Sequence, residues 1–175
     1  MIAKRTMALA VLLLVLLVPF LFAGTATIPV RAASAADWNP QSFWYEPWGV
    51  SGVHKGIDIF APEGRPVLSP VNGIVVFRGH LALGGNVVAV LGARWRIHYL
   101  AHLQASDAGL FEAVARGEEI ARVGTSGNAA GKPPHLHYAV LSAVPLPWRA
   151  TRQSQGWRRM FYLDPGQVLS DRGAP

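Results

Sequence analysis

Along the body of the chain, apolar positions come in brief runs cut by glycine, proline and asparagine, and they alternate with polar positions more often than they repeat at helical spacing. Residues 66–69, the Asn72-Gly73 pair and residues 74–77 predict a hairpin, because Asn-Gly supplies the positive φ angles that a two-residue turn requires. Gly84-Gly85 opens a strand over 86–91, and further strands are expected over 94–103, 119–123 and 136–141. Only 108–116 carries helical spacing, over a short span. Residues 38–48, aromatic and containing proline, read as an N-terminal arm packing on the sheet, and 156–169 as a closing segment. Many brief strands with glycine turns and almost no helix predict an all-β domain, either a sandwich or an open barrel-like sheet.

The start of the chain breaks this pattern. Lys4 and Arg5 precede an uncharged apolar run over 7–22, followed by small residues and Pro29, which reads as an export signal. Cleavage is expected after Ala26 or within 32–36, where Ala33 and Ala35 form an A-x-A pattern. The alternative is an uncleaved anchor giving membrane association, although the run falls short of the roughly 20 residues of a typical span. The expected organisation is a signal or anchor over 1–36, an arm over 37–49, one principal domain over 50–145 and a closing segment over 146–175. A chain of 175 residues has room for one domain that buries its own core.

Composition narrows the chemistry. There are no cysteines, which excludes disulfides, thiolate metal sites and a cysteine nucleophile, so any metal must be held by nitrogen and oxygen. The formal charge is +6, but removing Lys4, Arg5 and Arg31 with the leader leaves 13 basic residues against 10 acidic ones. Arg149, Arg152, Arg158 and Arg159 form the remaining basic cluster, read as a solvated face with some attraction for an anionic wall or membrane surface. Nucleic acid is not an expected partner, since the chain reads as exported and lacks an interleaved basic and aromatic motif.

Histidine carries the chemistry. In the segment PPHLHYAV, His135 and His137 stand two apart, and in a strand such residues project from the same face. HKGIDIF adds His54 and Asp58, with Gly56 between them read as permitting a tight turn. Two imidazoles and a carboxylate form a zinc set that leaves the fourth position open. His54, Asp58 and one member of the 135/137 pair would supply it, and spacing does not say which member. HYLAHLQ adds His98 and His102, on one face if the strand is regular. With no H-E-x-x-H glutamate, histidine would act as the general base, and another histidine would hydrogen-bond an oxyanion.

Taken together, HKGIDI, SPVNGIVV, AHL and VGTSGNAAGKPPHLHY, in that order over residues 50–141, closely resemble the lysostaphin-type, LytM-like zinc endopeptidases of metallopeptidase family 23. The resemblance implies a twisted antiparallel sheet forming a groove with one zinc ion on its floor. It implies His54, Asp58 and His137 as ligands, with His102 and His135 stabilising the transition state or shuttling protons. It implies hydrolysis of peptide crosslinks in bacterial peptidoglycan, hence a periplasmic or cell-envelope location. Members that lose ligands act as non-catalytic wall-binding or hydrolase-activating modules, which is the alternative reading, but all five positions are filled here. One departure stands out: the family tyrosine position two before His102 is Leu100, with Tyr99 displaced by one, which in a regular strand turns the ring to the other face.

Other features read as structural. GTSGN lacks the second glycine of a nucleophile elbow, so Ser126 reads as a turn residue. GNAAGKPP lacks a spacer and a hydroxyl of a phosphate loop and reads as the loop delivering the H-x-H strand. His80 reads as a surface residue, and Trp44 and Trp48 as core or groove-wall positions.

Overall fold

The computed structural model describes residues 5–7, 11, 13, 17 and 24–170. The leader over 7–22 therefore lies largely outside the described residues. Among those described, no helix is long and apolar enough to cross a membrane.

Among the described residues, nine strands form one antiparallel sheet: β1 (Ile57–Phe60), β2 (Pro66–Leu68), β3 (Gly73–Leu81), β4 (Gly85–Leu91), β5 (Arg96–Ser106), β6 (Ala113–Val114), β7 (Glu119–Val123), β8 (His135–Ser142) and β9 (Tyr162–Leu163). The main order is β1-β8-β5-β4-β3-β6, with β7 joining β5 to β2 and β9 added to β8. A short helix, α1 (Pro165–Ser170), follows β9. The all-β expectation is therefore met.

Period-two alternation builds the core. Leu136, Tyr138 and Val140 of β8 pack with Ile57 and Ile59 of β1, Val88 and Val90 of β4, and Leu100 and Leu103 of β5. Each residue between them turns to the opposite face, and on β1 and β8 these are Asp58, Phe60, His135, His137, Ala139 and Leu141. One sheet thus separates an aliphatic core from a functional face. The arm packs as expected, with Trp38 and Trp44 buried. Residues upstream of it also join the fold: Val30 bridges Val67 and is 2 % exposed, and Arg31 pairs with Glu119 at 3.1 Å.

Two local expectations are corrected. The strands over 66–69 and 74–77 exist, but they do not pair as a hairpin. β2 pairs with β7, while β3 pairs with β4 and β6. Asn72 spends its side chain accepting a hydrogen bond from the Arg116 amide at 2.8 Å, and Gly73 lies so close to the Leu91 carbonyl that a Cβ would collide with it. Asn-Gly here serves a crossing, not a turn. Residues 108–116 are not helical: Phe111 donates to the Val75 carbonyl at 2.8 Å, Val75 donates back to Glu112 at 2.9 Å, and β6 extends β3.

Candidate active site

The register of β1 on β8 creates the site. Asp58 lies directly opposite His137, and Phe60 opposite His135, so both histidines and the carboxylate share one face. His54 arrives from the loop before β1, where its backbone exchanges hydrogen bonds with residues 44 and 45 (Trp44 N–H to His54 carbonyl, 2.7 Å; His54 N–H to Tyr45 carbonyl, 2.9 Å). Gly56 is needed for space, not for the tight turn expected of it. A Cβ there would strike the Tyr138 carbonyl and come within 2.9 Å of the His137 ring.

Three ligand atoms converge. His54 Nε2 is 3.1 Å from Asp58 Oδ1 and 3.1 Å from His137 Nδ1, and His137 Nδ1 is 2.8 Å from the same carboxylate oxygen. These are the three residues among those described whose ligand atoms are grouped closely enough to hold one metal ion. His54 donates its Nδ1 proton to the Ser42 carbonyl at 3.0 Å, which leaves a lone pair on Nε2 facing the other two atoms. A lone pair and a carboxylate at that separation repel each other unless a cation or proton stands between them. Tetrahedral zinc with bonds of 2.0–2.1 Å separates its ligand atoms by about 3.3 Å. The donor triangle therefore needs only a few tenths of an ångström of expansion to accept a metal, and the donor set fits one.

Electrostatics favour the same protonation states. Burial alone would raise the Asp58 pKa, but the His137 and His54 rings beside it outweigh burial and hold the carboxyl below the ordinary range. Burial lowers the His137 pKa against the pull of Asp58, which favours a neutral ring.

Two further histidines face this triad. Their rings pack edge to face with centroids 5.0 Å apart, and His135 Nε2 is 4.0 Å from Asp58 Oδ1. His102 donates its Nδ1 proton to the Ser126 carbonyl at 2.9 Å, and His135 donates its own to the Pro133 carbonyl at 2.8 Å. Each therefore keeps Nε2 free. Burial, together with the nearby His137, depresses the His102 pKa to about 4, so the ring is neutral near pH 7 and accepts a proton at Nε2. All five residues expected at the site thus meet in one groove of about 730 Å³.

The strand carrying His102 is not regular. His102 has φ +64°, its amide donates to the Gly84 carbonyl, and the β4–β5 register shifts beside it. This bulge breaks the alternation. His98 therefore does not share a face with His102. It is 3 % exposed, shares a 2.7 Å hydrogen bond with the Tyr138 hydroxyl, and burial lowers its pKa to about 3. Leu100 is in the core and Tyr99 lines the groove, so the displaced tyrosine does reach the groove face, contrary to the expectation from its offset.

The remaining candidates divide. Trp44 is buried, with its indole N–H donating to the Ser154 carbonyl at 3.2 Å, whereas Trp48 lines the groove and stacks on His54 at 4.0 Å. His80 is exposed and bonds Asn86 at 3.2 Å. Ser126, read as a turn residue, proves to be a hub. Its hydroxyl accepts from the Asn86 amide and donates to the Leu103 carbonyl, while its own carbonyl holds His102. The sequence signalled it only as one polar residue between glycines.

A family model described as Peptidase family M23 matches residues 52–146. The chain is 36 % identical over 122 residues to the L-Ala--D-Glu endopeptidase of Bacillus subtilis, covering 65 % of this chain and 36 % of that protein. It is 30 % identical over 107 residues to peptidoglycan DD-endopeptidase ShyC of Vibrio cholerae, covering 61 % of this chain and 24 % of that protein. The chain thus spans little more than a third of the first relative and about a quarter of the second. The catalytic domain of the antimicrobial peptidase lysostaphin from Staphylococcus simulans superposes with a TM-score of 0.62 at 23 % identity, covering 78 % of this chain and 98 % of that one. At that identity the likeness establishes the fold.

Proposed function

Because the chain belongs to peptidase family M23, we propose that it is a zinc-dependent endopeptidase that hydrolyses peptide crosslinks of bacterial peptidoglycan in the cell envelope. The observation that carries this reading is the convergence of His54, Asp58 and His137 beneath two histidines whose Nδ1 protons are already committed to backbone carbonyls. A relative described as a peptidoglycan DD-endopeptidase supplies the substrate class, and an apolar run behind Lys4 and Arg5 supplies a route to the envelope.

His54, Asp58 and His137 would hold one zinc ion. When bound, zinc supplies Lewis-acid polarisation of the scissile carbonyl and makes water a better nucleophile near neutral pH. The groove offers no glutamate as base, and Asp58, its sole acid among the described residues, is engaged by His54 and His137. His102 takes that role. With Nδ1–H fixed on the Ser126 carbonyl, its Nε2 receives the proton of the attacking water and passes it to the leaving amine. His135, whose Nε2 lies 4.0 Å from Asp58 Oδ1, is the second group facing the reacting carbonyl, placed beside the oxygen where negative charge develops. Phe60, Leu83, Trp48 and Tyr99 line the groove and limit water around the reacting atoms.

The test is mass spectrometry of purified peptidoglycan after incubation with the protein, with and without a zinc chelator. New amine and carboxyl termini at one crosslink, lost on chelation and in His137→Ala, are the expected result. Intact crosslinks with zinc-loaded protein would reject the assignment.

A further inference from the structure

The groove's charges are one-sided. Among the described residues that line it, Asp58 is the single carboxylate and is engaged with His54 and His137, while Lys55 and Lys132 are cations. Neither lysine pairs with a carboxylate among the described residues. The rest of the lining is largely apolar, so a substrate anion entering there meets two lysines and no competing free carboxylate among the described residues.

Their placement follows from register. The groove floor follows β8 through His135, His137, Ala139 and Leu141, and six residues of strand at about 3.3 Å each span about 20 Å. Lys132 stands just before Pro133, whose carbonyl holds His135, and so marks one end. Lys55 lies two residues before Ile57, where the pairing of β1 with β8 ends opposite Tyr138, on the far side of His137 from Lys132. Its ammonium donates to the carbonyls of Ser51 at 3.2 Å and Val53 at 3.4 Å. The Ser51 carbonyl also accepts from the Gln155 side chain at 2.9 Å, and Gln155 opens the segment that runs into Tyr162, which sets Lys55 at the Tyr162 end. The metal ligands therefore lie between two cations spaced along the path of an extended peptide.

We infer that the groove selects a peptide bearing a free carboxylate on each side of the scissile bond, one docking on Lys132 beside His135 and the other on Lys55 toward Tyr162. This rests on the endopeptidase reading and adds a charge requirement to it. Lysine suits the task as a mobile point charge at either end, and it leaves the bond itself to the histidines between. Neutral bridges of glycine would gain nothing from either lysine.

The experiment uses the full zinc-loaded protein and two probes, a crosslinked stem-peptide dimer with free carboxylates and the same dimer with them converted to carboxamides. Wild-type protein is expected to show a KM lower by about five- to tenfold for the carboxylate dimer, with similar kcat and a difference that shrinks as salt rises. Lys132→Gln should narrow that preference, Lys132→Glu should reverse it for a dimer amidated on one side only, and Lys132→Arg should retain it. Calorimetric binding of both dimers to His135→Ala protein measures the preference without turnover. Equal KM and equal affinity for the two dimers, with cleavage intact, would overturn the cation subsites alone. No cleavage of either dimer, with the binding preference present, would overturn the hydrolytic reading and leave the subsites standing.

Discussion

Replacing Ser126 by alanine removes one hydroxyl that ties β4, β5 and the loop before β8 together. That hydroxyl accepts from the Asn86 amide at 2.9 Å and donates to the Leu103 carbonyl at 2.8 Å. Both partners lose a bond, one at half-buried Asn86 and one at buried Leu103. At about 1 kcal/mol net for each hydrogen bond, Ser126→Ala should cost about 2 kcal/mol, which lowers Tm by about 4–8 °C for a domain of this size. The functional effect reaches further, because the Ser126 carbonyl fixes the His102 proton on Nδ1. A loop free to turn that carbonyl away lets the proton move to Nε2, where the base must be empty. We expect kcat on crosslinked peptide to fall about ten- to a hundredfold, with KM and bound metal little changed, since neither depends on the His102 tautomer. Differential scanning calorimetry, metal analysis and steady-state kinetics on one preparation separate these quantities. A lowered Tm with unchanged kcat would refute the link from hydroxyl to histidine, and loss of metal would show that the hydroxyl supports the whole site instead.

His137→Ala should lose stoichiometric metal and activity together, whereas His102→Ala and His135→Ala should keep the metal and lose about a hundredfold or more in kcat, measured by metal analysis beside the kinetics. Buried His98 has its pKa lowered to about 3, below the unfolded value near 6.5, so the unfolded chain binds the extra proton. Its contribution to stability is full above about pH 6.5 and fades as pH falls toward 3, by up to about 1.4 kcal/mol per pH unit. Chemical denaturation across that window should show a shallower slope in His98→Asn, which keeps a polar partner for Tyr138, and an unchanged slope would count against the assignment. A chain beginning at Thr27 should be more stable than one beginning at Asp37, because the longer form retains Val30 in the core and the Arg31–Glu119 pair. Burial of Val30 alone suggests about 2 kcal/mol, readable as several degrees in Tm, and equal melting would place the structural boundary later.

The legible parts of the sequence were those governed by simple alternation. β8 alternates without interruption, so HLHYAVL announced both its core face and its paired histidines, and Asp58 shares their face because β1 is equally regular. Alternation failed at His102. A bulge with positive φ at a non-glycine residue leaves no compositional trace, so His98 was placed on the groove face and Tyr99 was turned away from it. The Asn72-Gly73 hairpin failed for a different reason. The dipeptide has a turn-forming composition, but its side chain and its missing Cβ are consumed by Arg116 and Leu91, contacts distant in sequence. Ser126 shows the same limit, since a polar residue in a glycine-rich loop gives no sign that Asn86, Leu103 and His102 all depend on it.

The two ring orientations at the site follow from distance to the sheet. His137 lies on a strand directly across from Asp58, so the ring nitrogen nearer its backbone, Nδ1, already reaches the carboxylate. His54 approaches from the preceding loop and reaches the same point with the far nitrogen, Nε2, which frees Nδ1 to donate to Ser42. His102 and His135 repeat the second arrangement, each with Nδ1 on a carbonyl and Nε2 toward the groove. Three carbonyls, of Ser42, Ser126 and Pro133, therefore set three tautomers. A backbone carbonyl cannot be deleted by substitution, so side-chain changes in these loops act on the chemistry only through whatever holds the loop in place. For His102 that support is the Ser126 hydroxyl, and for His54 it is the hydrogen-bonded pairing of residues 44 and 45 with the His54 backbone. Orientation of the reacting nitrogens is thus delegated to loop backbone, while the strands fix where those nitrogens meet.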